Sequence, residues 1–405
     1  MSSHTILPDF ESGPAKAGTL VASLPGRPML RAWLFLAGGF GLIAVFVIGV
    51  TLFQLSRIPR VAFDQDSARV ALEEVNDEVL AEINEEISEF EADILDQESA
   101  DVAAAIEDGD LLETAREELS DSEIDASYLF PFATGVAVDD SLHDSYLLLG
   151  TDLSKLRADV IILVILPRDG TDPVLVSLPR DLYLPNPCTG RNSRINAALF
   201  GCGDIVNGPE LVALMVEGYT GVPVDHFAIV DFEGFTDVID ALGGLEICVV
   251  YPVRDRKSEL SLPSGCTDAS GEIVLQWVRS RATQELVNGR WRIMEGVDDF
   301  ARQQRQQETL IDIADKLGSF DTVTSLTDVA AGLANAVTFD ERMDLGQLVQ
   351  TAWSLKDIDR SLINRVQPGF RNYITESGAF VVVPTESFSD AFDAATLRVD
   401  ATEAS

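Results

Sequence analysis

The chain has 405 residues, a formal net charge of -38 and three histidines. That much negative charge excludes a general affinity for nucleic acid or anionic lipid. So few histidines argue against a histidine-centred hydrolase, and the sequence contains no G-x-S-x-G elbow, G-x-x-x-x-G-K-[ST] loop or H-E-x-x-H pair.

Residues 1–32 carry Pro8, Pro14, Pro25 and Pro28 among scattered glycine and serine and read as a disordered cytoplasmic tail. From Trp33 to Leu55 there is no charge, and Thr51 and Gln54 are the polar side chains. That stretch has the roughly 20 residues needed to cross a bilayer core. No small-residue cleavage pattern follows Leu55, so 33–55 reads as a retained transmembrane helix rather than a signal peptide. Lys16, Arg27 and Arg31 before the span, against Arg57 and Arg60 after it, favour an inside N-terminus. The expectation is a single-pass protein of the cell membrane with its catalytic domain outside.

Residues 56–140 read as an acidic helical stalk or linker, with 24 acidic residues against Arg69 and Arg116 between Asp64 and Asp125. Leu72, Val75, Val79, Ile83, Ile87, Phe90 and Ile94 step by three or four, which predicts an amphipathic helix over 66–96. A coiled-coil stalk or partner-binding helix and an amphipathic helix lying on the domain or solvated spacer fit that pattern equally.

Residues 141–384 alternate strand and helix signals. Tyr146–Leu149, Val160–Leu166 and Val174–Leu178 are apolar runs suited to buried strands, followed by a helix at Pro209–Tyr219. His226–Val230 reads as a strand, Phe232–Leu242 as a helix stopped by Gly243 and Gly244, and Leu245–Val250 as a strand. Further helices are predicted at Gly271–Arg279, Val297–Leu317, Thr322–Ala336 and Leu345–Leu355, with late strands at Asn364–Val366 and Phe380–Val383. The order predicts an α/β/α sandwich around a central mixed sheet. Residues 385–405 read as a weakly patterned acidic tail. Cys188, Cys202, Cys248 and Cys266 all follow the span and permit three pairings; Cys188–Cys202 and Cys248–Cys266 close short loops and are favoured. A zinc site is the alternative, but no C-x₂-C pair is present.

Arginine recurs beside aspartate at strand ends and helix starts. The segments are Gly150-Thr-Asp152 with Arg157-Ala-Asp159, Pro179-Arg180-Asp181, Arg194-Ile-Asn196, Arg279-Ser-Arg281, and Asp299 through Arg302, Arg305 and Gln306. On a helix Asp299, Arg302 and Gln306 project from one face. Guanidiniums converging on one pocket repel one another unless an anion occupies it, and their forks match phosphate oxygens. Carboxylates beside them suit a hard cation, Mg²⁺ or Mn²⁺, that bridges phosphate oxygens.

Residues 145–317 resemble the LytR-CpsA-Psr family of envelope enzymes through LLLGTD, RADV, SLPRDLYLP, RINAA, TGVPVDHFAIVDFEGFTDVIDALGG, WVRSR and DFARQQRQQ. The resemblance implies an apolar groove for a polyprenyl chain. It also implies transfer of a phosphoglycan from that lipid pyrophosphate to a peptidoglycan hydroxyl. Asp152 and Asp159 match the acidic metal positions, and Asp299 and Gln306 match the motif that completes the site, with Asp299 expected to join the metal. Arg180, Arg279, Arg281 and Arg302 match the pyrophosphate-binding arginines, joined at the substrate by Arg194, Asn196, Arg305 and Gln306. Asp159, Arg180, Arg279, Arg281, Asp299 and Arg302 form the expected catalytic set. Val160 stands where the family commonly has threonine, Arg194 where lysine is frequent, and 17 residues with Arg290, Trp291 and Arg292 separate Arg281 from Asp299. That loop is expected to cover the groove or to read the acceptor glycan. A lipid-pyrophosphate-binding scaffold and a lipid pyrophosphatase are the competing readings.

Overall fold

The computed structural model describes residues 53–54, 56–74, 142–151, 156–168, 173–294, 299–318, 332, 334, 336–344, 346, 362–375 and 378–403. In chain order the elements begin with β1 (Arg60–Val61), α1 (Gln65–Glu74), β2 (His143–Thr151), β3 (Ala158–Pro167) and β4 (Val174–Leu178). A hairpin of β5 (Tyr183–Asn186) and β6 (Arg191–Arg194) follows, then a 3₁₀ turn at Ile195–Phe200, α2 (Gly208–Thr220), β7 (His226–Asp231) and α3 (Phe232–Ala241). Next come β8 (Leu245–Val249), β9 (Val253–Asp255), β10 (Leu260–Leu262), β11 (Gly265–Ala269) and α4 (Gly271–Arg279). The chain continues through β12 (Gln284–Val287), β13 (Arg290–Ile293), α5 (Asp299–Gly318) and β14 (Val337–Asp340). It closes with β15 (Asn364–Val366), β16 (Phe370–Ile374), β17 (Phe380–Pro384) and α6 (Phe388–Glu403).

Among the described residues the central sheet has seven strands in the order β1-β14-β7-β2-β3-β4-β15 and is mixed. β2 lies parallel to β7 and antiparallel to β3, which is antiparallel to β4. The continuous apolar run of β3 splits by the period of two between two faces. Ile161, Leu163 and Ile165 join Leu147, Leu149 and Phe227 in a core sealed by Leu211, Met215 and Val216 of α2. Ile162 and Val164 point to the opposite face, where Ile311 of α5 packs against them. Ala228 and Phe339 share a cluster there with Val238 of α3.

Local chemistry fixes the helices. Asn207 and Glu210 form a reciprocal capping box at the start of α2, with Pro209 in its first turn. Gly271 lets α4 approach α3, because a Cβ there would lie 2.3 Å from the Thr236 carbonyl oxygen. Both favoured disulfides are present, Cys188–Cys202 and Cys248–Cys266, the second bridging directly paired residues of β8 and β11. Each closed loop contributes about 3 kcal/mol by the chain-entropy account. His226 is packed rather than exposed to substrate, with Nδ1 3.2 Å from Asp340 and its ring stacked on Tyr146.

Two boundaries move. The sequence places residues from 56 onward in a stalk, yet Ile58, Phe63 and Ala68 are core residues and β1 pairs with β14. The Asp64 amide donates to Glu210 Oε1 at 2.8 Å, and Asn207 Nδ2 donates to the Ala62 carbonyl at 2.9 Å, so the α2 cap also holds this segment. The supposed tail after 384 instead carries α6, whose Phe388 is 1 % exposed and meets Tyr219 edge-on at 5.7 Å. Both segments are short and mostly polar, so one or two buried aromatics carry their attachment and leave no period to read. The remainder of the helix expected at 66–96, from residue 75 on, lies outside the described residues, as do most of the helices expected at 322–336 and 345–355. Of the expected span only Phe53 and Gln54 are described, and among the described residues no helix is long and apolar enough to cross a membrane.

Phe63 is fully buried, 5.1 Å from the Phe227 ring. Phe63→Ala in the full chain is expected to cost about 3–5 kcal/mol in urea denaturation. A loss below about 1 kcal/mol would place residues 58–68 outside the cooperative fold.

Candidate active site

The strand directions bring several termini to one end of the sheet. Gly150 near the end of β2 pairs with Val160 at the start of β3, and also with Val230 at the end of β7. Ile161 pairs with Leu178 at the end of β4, so Asp159 and Arg180 emerge side by side. α4 ends at Arg279, and α5 supplies Arg302 and Gln306 from its first two turns. Between this edge, the open sheet face and α3, α4 and α5 lies a cavity of about 470 Å³.

The cavity has two chemical halves. Asp159, Arg180, Asp231, Arg279, Arg281, Arg302 and Gln306 line its polar part. Leu148, Val160, Ile162, Ala228 and Phe339 supply an apolar floor from the sheet, while Phe235, Leu275, Leu310 and Ile313 supply helical walls. Thr309, Leu310 and Ile313 continue the same face of α5 that carries Arg302 and Gln306, at the three-or-four spacing of one helical stripe. One helix therefore contributes both the charged end and the apolar wall. Among the described residues the lining holds four guanidiniums against two carboxylates.

The arginines are held individually. Arg180 Nη1 lies 2.8 Å from Asp159 Oδ1, and its Nε lies 3.2 Å from Asp181 Oδ2. Asp181 is gripped from behind by Arg194 at 3.6 Å and by Asn196 Nδ2 at 3.5 Å. The Arg279 guanidinium sits 4.4 Å from the centroid of the Phe232 ring, a cation–π contact. Arg305 donates to the Ser280 carbonyl and lies 5.0 Å from the Trp277 ring. Gln307 Nε2 donates to Ser177 Oγ at 2.8 Å, tying α5 to β4.

Three of the expected substrate ligands lie behind the described cavity lining rather than in it. Arg194, Asn196 and Arg305 are buried but do not line the cavity; they brace Asp181 and the end of α4. For Arg305 the cause is helical phase, since three residues past Arg302 it turns toward α4 while Gln306 turns into the cavity. Of the expected metal ligands Asp159 is at the cavity, Asp152 lies outside the described residues, and Asp299 is placed only as the first residue of α5. Among the described residues the one tight group of metal-capable side chains is Glu246 with Cys248 and Cys266, whose sulfurs are bonded to each other.

Two contributors escaped the sequence reading. Asp231 lines the cavity while capping α3 through the Gly234 amide at 2.7 Å, a role visible as an aspartate between a strand and a helix. Asp255, 3 % exposed, accepts from Ser280 Oγ at 2.6 Å, the Arg281 amide at 3.1 Å and the Ala282 amide at 3.0 Å. It shapes the turn that presents Arg279 and Arg281. Burial alone would raise its carboxyl pKa, but the Ser280, Ala282 and Lys257 hydrogen bonds outweigh that and lower it. No local pattern marks it, because Ser280, Arg281 and Ala282 lie about 25 residues away in sequence.

The LytR_cpsA_psr family model matches residues 113–394. The chain is 38% identical over 134 residues to the probable cell wall biosynthesis protein LcpB of Corynebacterium glutamicum, covering 33% of this chain and 31% of that protein. It is 30% identical over 220 residues to the polyisoprenyl-teichoic acid–peptidoglycan teichoic acid transferase TagU of Bacillus cereus, covering 52% of this chain and 66% of that one. The chain therefore spans less than two thirds of the length of these curated relatives. Among solved structures it is similar to the LytR-Csp2A-Psr enzyme from Actinomyces oris, with a TM-score of 0.50 and 27% identity over 64% of this chain and 92% of that one.

Asp255→Asn replaces an acceptor oxygen with an amide facing backbone donors and is expected to cost about 1–3 kcal/mol at neutral pH. A carboxyl with a lowered folded pKa stabilises above its unfolded value of about 3.9 and loses that contribution as pH falls through the folded one. Urea denaturation of wild type and variant should therefore converge below about pH 4. A gap that stays constant down to pH 3 would contradict the assigned hydrogen bonds.

Proposed function

Since the chain belongs to the LytR_cpsA_psr family, we propose that it transfers a phosphoglycan from a polyprenyl-pyrophosphate carrier onto peptidoglycan. One observation carries this reading: a single cavity joins Arg180, Arg279, Arg281 and Arg302 to a continuous apolar interior. A free sugar phosphate would need the arginines but not the apolar floor. A neutral lipid would need the floor but not the arginines. A lipid pyrophosphate uses both, and the excess of two guanidiniums over carboxylates in the described lining suits its charge.

In the proposed reaction the acceptor hydroxyl oxygen bonds to the sugar-side phosphorus as its proton passes to an aspartate of the site. The bond from that phosphorus to the bridging oxygen breaks, and polyprenyl phosphate departs with the bridging oxygen. Transfer of this kind depends chiefly on positioning and charge neutralisation. Arg279, Arg281 and Arg302 would hold the pyrophosphate oxygens, with Arg180 fixed between Asp159 and Asp181. Arg194, Asn196, Arg305 and Asp255 would position that set without touching substrate. Mg²⁺ or Mn²⁺ held by Asp152, Asp159 and Asp299 belongs to the same proposal. An all-carboxylate donor set suits a hard cation, which would neutralise charge on the phosphate oxygens. A membrane anchor at 33–55 with the N-terminus inside would place the cavity on the side where wall polymer is made.

Full-length protein in detergent, given labelled lipid-linked glycan and peptidoglycan, is expected to form a phosphodiester. Arg281→Ala is expected to lower the rate at least about a hundredfold while leaving the folded state intact. Release of free sugar phosphate without acceptor would indicate a pyrophosphatase, and binding without product would indicate a scaffold. Removal of divalent cations by chelation is expected to lower transfer and restored Mg²⁺ to recover it; unchanged transfer would remove the metal from the account.

A further inference from the structure

The long connection between Arg281 and α5 folds into a built surface. β12 and β13 form a hairpin over Asn288 and Gly289, both with positive φ, and join β9 and β10 in the order β10-β9-β12-β13. Register divides this sheet into two faces. Val253, Leu260, Leu262, Asp255 and Glu285 are buried on the inner one. Gln284 pairs with both Ile293 and Arg254, and Leu286 pairs with Trp291, so these five residues share the outer face. There Trp291 keeps 37% exposure and Ile293 keeps 64%.

The outer face is ordered rather than merely apolar. The Arg254 guanidinium lies 4.1 Å from the centroid of the Trp291 ring, and its Nε donates to Gln284 Oε1 at 3.0 Å. Indole, guanidinium and amide thus stand as adjoining flat groups, able to cover an apolar ring face and to hydrogen-bond its edge. The surroundings are basic in a chain whose net charge is -38: Arg279 to Ile293 contains four arginines and one glutamate, and Glu285 is already paired with Arg292 at 2.7 Å. Gln284 follows the cavity-lining Arg281 by three residues, at most about 10 Å of extended chain. Asp255, the second-strand residue that holds the Arg281 amide, ties the sheet to the cavity.

We propose that this outer face, centred on Trp291 and Arg254 with Ile293 and Gln284, binds the acceptor glycan beside the donor-holding arginines. Pyranose rings present apolar C–H faces with hydroxyl edges, and the peptide stems of wall polymer carry carboxylates. Trp291 meets the first, Gln284 the second, and the Arg254 guanidinium the third. The inference rests on the transfer reading and adds where that reaction's second substrate docks.

The test measures transfer by the full chain in detergent, varying donor and a soluble peptidoglycan fragment separately. Trp291→Ala is expected to raise the acceptor KM about tenfold with donor KM and kcat nearly unchanged. Ile293→Thr, at an exposed edge position, should raise it about threefold, and Trp291→Tyr should recover most of the loss. An unchanged acceptor KM, or a raised donor KM instead, overturns the proposal, the latter assigning the face to lipid. If wild type forms no phosphodiester, the transfer reading fails by itself. Cosedimentation of the full chain with insoluble peptidoglycan then decides the docking claim: binding lost in Trp291→Ala supports it, and equal binding by both overturns it.

Discussion

Like charges crowded around an apolar space set the terms for this molecule. Arg180, Arg279, Arg281 and Arg302 face one cavity, and desolvated cations are costly unless each is compensated. The compensation is distributed. Arg180 is held between Asp159 and Asp181, Arg279 lies over Phe232, and Asp255 fixes the turn carrying Arg281. Behind these stand Arg194, Asn196 and Arg305, which hold the holders. The described lining keeps guanidiniums in excess of carboxylates, which is the charge balance that the proposed anionic donor requires.

The sheet explains which face carries this space. Its one face is sealed by α2 and α6, whose apolar side chains interlock with Leu147, Leu149 and Leu163. The other face is covered by α3, α4 and α5, and these helices also carry the polar groups that must reach the strand ends. A helix set to present Arg302 and Gln306 to the sheet edge places Leu310 and Ile313 farther along as a wall. The charged mouth and the apolar interior are therefore consequences of one helical phase.

Much of this was legible in the sequence. The apolar runs of β2, β3 and β4 are long and unbroken, and Gly243 and Gly244 punctuate the end of α3, so the central elements fall where expected. The arginine pattern likewise located Arg180, Arg279, Arg281 and Arg302. What failed to show depends on contacts between distant residues. Asp255 acts on a turn about 25 residues away, and Phe63 enters the core against Phe227 from a segment whose composition looks like linker. Arg305 shows a finer dependence: the motif named the residue, and its place one position before Gln306 sets it against the end of α4 while Gln306 lines the cavity. The hairpin around Trp291 was visible only as extra length, because its strands are four residues each.

A cavity that takes a charged head and an apolar chain together must prefer the amphiphile to either part alone. Isothermal titration of the detergent-solubilised full chain with polyprenyl pyrophosphate, inorganic pyrophosphate and the corresponding polyprenol tests it directly. The account predicts that the amphiphile binds at least about a hundredfold more tightly than either part, and that Arg302→Ala removes most of that advantage. Equal affinity for inorganic pyrophosphate, or for the uncharged polyprenol, would contradict it.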